Sequence, residues 1–283
     1  EVNAPATRTY EHCREWVREG ADVTVISCTP NFPQGKVYEG YQNNLMSHEV
    51  VDGIKVIRVW SYISSNEGFL KRTLDYVSFA IMAFVAGLAI KTDIIVATSP
   101  QFFAAISGRW LAFFKRKPWV MEVRDMWPES IKTVGAMKGG KVLDFFEWLE
   151  LRLYKSAKLI IPVTDSFKLD MISRGVDESK IRVIKNGANL SLYRNQPKQL
   201  DLEDELGLKE KFVIGYVGTH GMAHKLDFIL DCAAKVTDVS IHFLFIGSGA
   251  KKIELIAQAQ TLQLTNVQFL DPVAKSEVWR YIS

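Results

Sequence analysis

Residues 212–235 read FVIGYVGTHGMAHKLDFILDCAAK. The first six, Phe212 to Val217, make a short, largely apolar run of strand length. Gly218-Thr219-His220-Gly221 breaks it, and from Lys225 to Lys235 the apolar residues return at helical spacing. Strand, glycine turn, helix is the repeating unit of an α/β layer protein. The unit recurs downstream. Ile241–Ile246 (IHFLFI) is a strand, Gly247-Ser248-Gly249 a turn, and Ala250–Leu262 a helix; Val267–Leu270 is a strand and Lys275–Ile282 a helix.

The same alternation fills the first half. Tyr10–Glu19 reads as a helix stopped by Gly20, and Val23–Ile26 as a strand. Ile54–Trp60 follows the hairpin turn signal Asp52-Gly53. Asp93–Thr98, Trp119–Val123 and Lys158–Val163 are strands, several with no polar face, as expected of parallel strands covered on both sides. Helices are expected over 101–115, 141–156 and 166–174. Residues 189–211 are polar and read as a connection with one short helix. The domains are thus 1–188, a linker 189–211, and 212–283. Both ends read as unfinished, because the first helix follows no strand and three strands are few for a second sheet.

Composition narrows the function classes. Hydrophobic residues make up 48% and charged residues 24% of the 283, the mix of a folded globular protein. A net charge of +3, without Lys/Arg runs interleaved with aromatics, gives no nucleic-acid signature. Cys13, Cys28 and Cys232 are far apart, so they signal neither a zinc site nor a disulfide framework, and they fit a reducing cytoplasm. Leu74–Ile90, LDYVSFAIMAFVAGLAI, approaches the roughly 17–25 residues of a bilayer span but contains Asp75. It reads as a buried helix between strands, or as a helix lying against a membrane surface.

In open α/β sheets ligands bind beyond the carboxyl ends of the strands. Five segments lie there or at a helix entry. Gly218–Gly221, with His220, His224 and Lys225, offers backbone N–H groups and positive side chains to a diphosphate; the same residues also make an ordinary turn with solvated side chains. Gly247 and Gly249 form a second, weaker turn. Glu122-Val123-Arg124-Asp125 brings charge to the end of an apolar strand, either as a salt-bridge cluster or as a site wall. In the second case Asp125 or Glu129 serves as base or sugar-hydroxyl acceptor, and Arg124 as anion clamp. The N-terminal loop supplies Asn3, Thr7 and Arg8. Lys185-Asn186-Gly187-Ala188-Asn189 marks a bend.

Taken together, the strings APATRTYEHCREWVREGADVTVIS, NFPQGKVYEGY, ATSPQFFAA, EVRDMWPESI, GAMKGG, NGANLSLY and GYVGTHGMAHKLDFIL resemble the family 4 retaining glycosyltransferases of GT-B fold. The branch that looks nearest is that of the bacterial N-acetyl-L-fucosamine transferases of O-antigen and capsule assembly. The resemblance implies two Rossmann-like domains, the acceptor on the first and the nucleotide sugar on the second. It further implies a UDP-sugar donor, a lipid-linked or saccharide acceptor, peripheral membrane contact at the cytoplasmic side, and no metal. Gly218, Thr219, His220, His224, Lys225, Gly247 and Gly249 would be donor residues. Asp125 and Arg124 would be catalytic, and Asn3, Thr7 and Arg8 would lie on the acceptor side. Two departures stand out: Arg124-Asp125 replaces the family's His-Asp pair, and Thr219 stands where an Arg is usual. The family's Glu-x7-Glu segment is expected beyond Ser283. A UDP-sugar epimerase and a non-catalytic sugar- or lipid-binding subunit share the same architecture.

Overall fold

The computed structural model describes residues 4–31, 35–63, 69–99, 102–127, 140–190, 193 and 197–282. They divide into two compact units, Glu1–Asn186 and Gly187–Ser283.

The first unit opens with helix α1 (Ala4–Arg18), followed by β1 (Thr24–Cys28) and the hairpin β2 (Met46–Val51) and β3 (Ile54–Val59). Residues 4–8, read from the sequence as a loop, are helical. Pro5 is accepted there because the first turn of a helix has no use for its missing N–H. β3 pairs parallel with β1 and antiparallel with β2, giving a three-stranded sheet of order β1-β3-β2. At the hairpin both Asp52 (φ 49°) and Gly53 (φ 81°) are left-handed, as the tight two-residue turn requires.

Helix α2 (Phe69–Ala89) leads to β4 (Ile95–Thr98), α3 (Phe102–Lys115), β5 (Trp119–Val123), α4 (Lys141–Ser156), β6 (Leu159–Pro162) and α5 (Asp165–Ser173). The strands form a parallel sheet of order β4-β5-β6. All five residues of β5 are buried, which explains its unbroken apolar reading apart from Glu122. Gly108 seats α3 directly on β4: a Cβ there would lie 2.5 Å from that of Ala97. Glu150 of α4 is buried, accepts from Tyr154 Oη at 2.6 Å, and pairs with Arg174 at the end of α5 at 2.5 Å. Burial pushes its carboxyl upward against the pull of Tyr154 and Arg174.

The second unit holds the short α6 (Leu200–Glu205), then β7 (Phe212–Val217), α7 (Leu226–Ala233), β8 (Ile241–Ile246), α8 (Lys252–Thr261), β9 (Val267–Leu270) and α9 (Trp279–Ile282). Its sheet is parallel, order β7-β8-β9. Leu226, Leu230, Phe243, Phe245 and Leu255 fill one side of it. Leu208 and Leu206, which follow α6, pack with Leu244 and Ile246 on the other. The stretch after residue 199 is therefore part of this unit's core. Of the helix expected over 275–282, only the last four residues are helical.

Candidate functional site

Two clusters lie at the carboxyl ends of parallel strands, one in each unit.

In the first unit, β5 ends in Glu122 and Val123, and Arg124 follows it. Glu122 is 7% exposed and Arg8 of α1 is 8% exposed. They meet with Arg8 Nε 2.8 Å from Glu122 Oε1. The rest of the guanidinium is also used: Nη1 donates to Lys185 O and Asn186 Oδ1, both at 3.0 Å, and Nη2 to Ile184 O at 2.9 Å. Thr98 at the end of β4 donates to Glu122 Oε2 at 2.7 Å. Arg8 therefore staples α1, β5 and segment 184–186 together. That corrects its reading as an acceptor-side ligand group, since a buried charge needs all these partners. The expected pairing of Glu122 with Arg124 gives way to Glu122 with Arg8. Thr7 lies beside Arg8 in α1 rather than in a loop, and Asn3 and Glu129 lie outside the described residues.

Arg124 is half-buried, and its backbone N–H donates to Ser99 Oγ at 3.0 Å. Asp125 is exposed. Trp127, two residues on, is anchored by aromatic packing: it stacks on Phe102 with centroids 5.1 Å apart and meets Phe146 edge-on. Asp125 is thus a solvent-facing carboxylate between the end of β5 and a packed Trp127. His12, one turn beyond Arg8, has Nδ1 3.9 Å from Glu122 Oε1. Burial first, then Arg8, lower its pKa, while Glu122 opposes them. Thr98, Ser99 and His12 were not singled out from the sequence. No local pattern marks them, because their partners come from other strands and helices.

In the second unit the turns after β7 and β8 are laced together. Gly218 N donates to Ile246 O at 2.9 Å, His220 N to Ser248 O at 2.8 Å, and Lys251 N to His220 O at 2.9 Å. The glycines permit this approach. A Cβ on Gly247 (φ 145°) would sit 1.9 Å from Gly218 O, and one on Gly249 (φ 157°) 2.5 Å from His220 O. Lys252 Nζ closes the same corner through Gly247 O at 2.9 Å and Asp271 Oδ1 at 2.7 Å.

The imidazole of His220 does not face outward. It is fully buried between Tyr216, Phe245 and Phe269, and neither ring nitrogen has a hydrogen-bond partner among the described residues. Burial, then Lys252 and His224, lower its pKa. Only its backbone serves the turn, so the reading of His220 as a phosphate-facing cation is corrected. Thr219, His224 and Lys225 are exposed. Lys225 is the N-cap of α7, is left-handed (φ 50°, ψ 42°), and caps the helix with no side-chain hydrogen bond. The exposed Lys225 thus stands at the start of α7, whose first N–H groups have no side-chain cap, an arrangement suited to an anion.

Residues 3–187 match the family model described as "Glycosyl transferase 4-like domain". The chain belongs to the glycosyl transferase 4-like family. The match spans the first unit almost to the residue. Over 271 residues the chain is 27% identical to a protein of Escherichia coli (strain K12) named as a colanic acid biosynthesis glycosyl transferase, WcaI. The match covers 90% of this chain and 65% of the relative. Among solved structures, sucrose-phosphate synthase from Thermosynechococcus elongatus aligns with a TM-score of 0.71 at 14% identity, over 99% of this chain and 67% of that one. Anabaena Alr3699/HepE in complex with UDP and glucose aligns with a TM-score of 0.56 at 19% identity, over 78% of this chain and 56% of that one. The architecture of this family member is accordingly α/β with parallel sheets, in the GT-B class of glycosyltransferase folds.

Proposed function

We propose that the chain belongs to a glycosyltransferase that moves a sugar from a UDP-sugar donor to a saccharide or lipid-linked acceptor in cell-surface polysaccharide synthesis. The observation that carries the donor half is the uncapped start of α7, with left-handed Lys225 and exposed His224 at the end of β7. Family membership, the relative named for colanic acid biosynthesis, and the neighbour crystallised with UDP and glucose support it. The finer reading is a UDP-N-acetyl sugar, transferred with retention by an enzyme of the N-acetyl-L-fucosamine branch.

In this mechanism an acceptor hydroxyl attacks the donor's anomeric carbon, and the bond to the nucleoside diphosphate breaks. The diphosphate's growing charge falls on Lys225, His224 and the N–H groups opening α7, of which the backbone groups are already in place. Asp125 accepts a hydrogen bond or proton from a sugar hydroxyl, and Arg124 sits beside it to hold an anionic group. Lys225 is cationic, and His224 and the helix N–H groups donate hydrogen bonds to the leaving charge, so the proposal requires no metal.

The test is calorimetric titration of the full-length protein with UDP, in chelator and in magnesium. Lys225→Ala should weaken UDP binding about tenfold, the worth of one charge-assisted contact. UDP binding that survives this substitution unchanged would remove Lys225 from the site. Binding found only with magnesium would end the metal-free form of the proposal.

A further inference from the structure

His12 is a titratable group at the carboxyl end of β5 that the proposed chemistry leaves unused. It lies on α1 four residues after Arg8, so the two side chains leave the same face of the helix. Arg8 is spent on structure, its guanidinium divided among Glu122, Asn186 and two backbone carbonyls. His12 is not so committed. Its side chain is 34% exposed, and neither ring nitrogen makes a hydrogen bond among the described residues. Trp16, one turn further along α1, borders the ring with centroids 6.0 Å apart.

The strand end decides which nitrogen of His12 is available. Nδ1 lies 3.9 Å from Glu122 Oε1, the same oxygen that accepts from Arg8 Nε at 2.8 Å. The longer distance is beyond a hydrogen bond. A carboxylate beside Nδ1 nevertheless favours the tautomer that carries its proton there. Nε2, the nitrogen farther from Glu122, then keeps its lone pair.

The surrounding charges leave the ring neutral. Burial first, then Arg8, oppose its protonation; Glu122 and Glu11 favour it, and Arg124 opposes it again. The balance lowers the pKa of His12 below the ordinary 6.5. Arg8 offsets the carboxylate at the shared oxygen, so Glu122 sets the tautomer without charging the ring. At neutral pH His12 is thus an imidazole with an acceptor nitrogen free, near enough to Arg124 to feel its charge. Asp125, the residue after Arg124, is a carboxylate in solvent and suited to accepting a hydrogen bond. An imidazole titrates near neutrality and is suited to accepting a proton.

We propose that His12 is a catalytic residue of sugar transfer, the base whose Nε2 takes the proton of the attacking acceptor hydroxyl while Asp125 orients that hydroxyl. Glu122 and Arg8 act through His12 as positioning residues. The inference rests on the transferase reading and deepens it. The hydroxyl oxygen bonds to the anomeric carbon. The bond from that carbon to the diphosphate breaks, and its electron pair leaves on UDP. The hydroxyl proton passes to Nε2, and the imidazolium returns it to water once the product has left.

Two measurements on the full-length protein test this, and the first needs no sugar substrate. Long-range proton–nitrogen NMR spectra, with His12 assigned by its absence from His12→Gln, should show a neutral ring carrying its proton on Nδ1 at neutral pH. A proton on Nε2, or a charged ring, overturns the proposal. The second follows release of UDP from UDP-N-acetylglucosamine, with octyl glucoside as acceptor, against pH. Wild-type kcat should fall as pH drops through the lowered pKa of His12, because only the neutral ring accepts a proton. His12→Gln can hydrogen-bond but cannot take a proton. It should lower kcat about a hundredfold, keep UDP affinity within about twofold, and lose that acidic limb. Circular dichroism and UDP titration confirm that the variant is folded. Wild-type kcat in His12→Gln, or a lowered kcat with the acidic limb unchanged, overturns the proposal and leaves the transferase reading standing. Wild-type protein that binds UDP but releases none from the sugar nucleotide ends the transferase reading, and this proposal with it.

Discussion

Replacing Arg8 by Met should lower the stability of the first unit by about 3–5 kcal/mol, because Glu122 is then left charged and buried without its partner. Adding Glu122→Gln should restore a large part of the loss, and urea unfolding of the single and double variants measures it. A double variant no more stable than Arg8→Met would show that packing, not charge, is at stake. His220 makes the opposite case. Its folded-state pKa lies below the ordinary 6.5, owing first to burial and then to Lys252 and His224. The unfolded chain therefore takes up the proton first, and stability falls as pH drops from about 6.5 towards the folded-state value. His12 and His242 are lowered too, so acidification should cost all three. His220→Leu removes two unpartnered buried nitrogens, so it should hold or raise stability at neutral pH and flatten its decline in acid. A decline of unchanged slope would assign the pH dependence elsewhere. None of this was legible locally. Arg8 and Glu122 stand 114 residues apart, and nothing in GTHG says which way an imidazole turns.

The elements themselves were far more legible. β5, β7, β8 and β9 begin and end where the apolar runs do, whether the strand is buried throughout, as β5 is, or partly exposed, as β7 is. The errors fell at helix ends, where caps and side-chain context decide: α1 starts at Ala4 instead of Tyr10, and α9 only at Trp279. β2 was implied only by its turn, since MSHEVV is a half-exposed edge with little apolar signal. At this scale the glycines bear the burden. Gly247 and Gly249 read as a weak nucleotide loop, yet the structure gives them a prior duty, to let the turns after β7 and β8 touch. Gly247→Ala should thus lower stability by more than the ordinary 0.4–1 kcal/mol scale of Gly/Ala effects, roughly 1–3 kcal/mol, as overpacking does. It should also loosen UDP binding by displacing Gly218. Thermal unfolding and UDP titration of the one variant check both, and a stable variant with intact affinity would show that the lacing is dispensable.

At the scale of the molecule, each unit contains a three-stranded parallel sheet with polar chemistry gathered where its strands end; the first also carries the mixed β1-β3-β2 sheet. They differ in what is gathered. The first offers an exposed carboxylate, Asp125, two residues before the packed Trp127, and the second offers the cation Lys225 and uncapped helix N–H groups. An anion belongs with the second set, and a hydroxyl in need of an acceptor belongs with the first. The substitutions should therefore separate cleanly in the full-length protein. Asp125→Asn should leave UDP affinity within about twofold while slowing transfer, because one carboxylate oxygen is lost where the hydroxyl reacts. Lys225→Gly should weaken UDP binding, yet raise stability by roughly 0.5–1 kcal/mol, since glycine takes the left-handed backbone at 225 without strain. Affinity and stability moving in opposite directions at one residue is what strain held for a ligand looks like. If Lys225→Gly lowered stability, the left-handed lysine would be a folding feature instead. If Asp125→Asn weakened UDP binding as much as Lys225→Ala does, donor and acceptor chemistry would not be divided between the units as proposed.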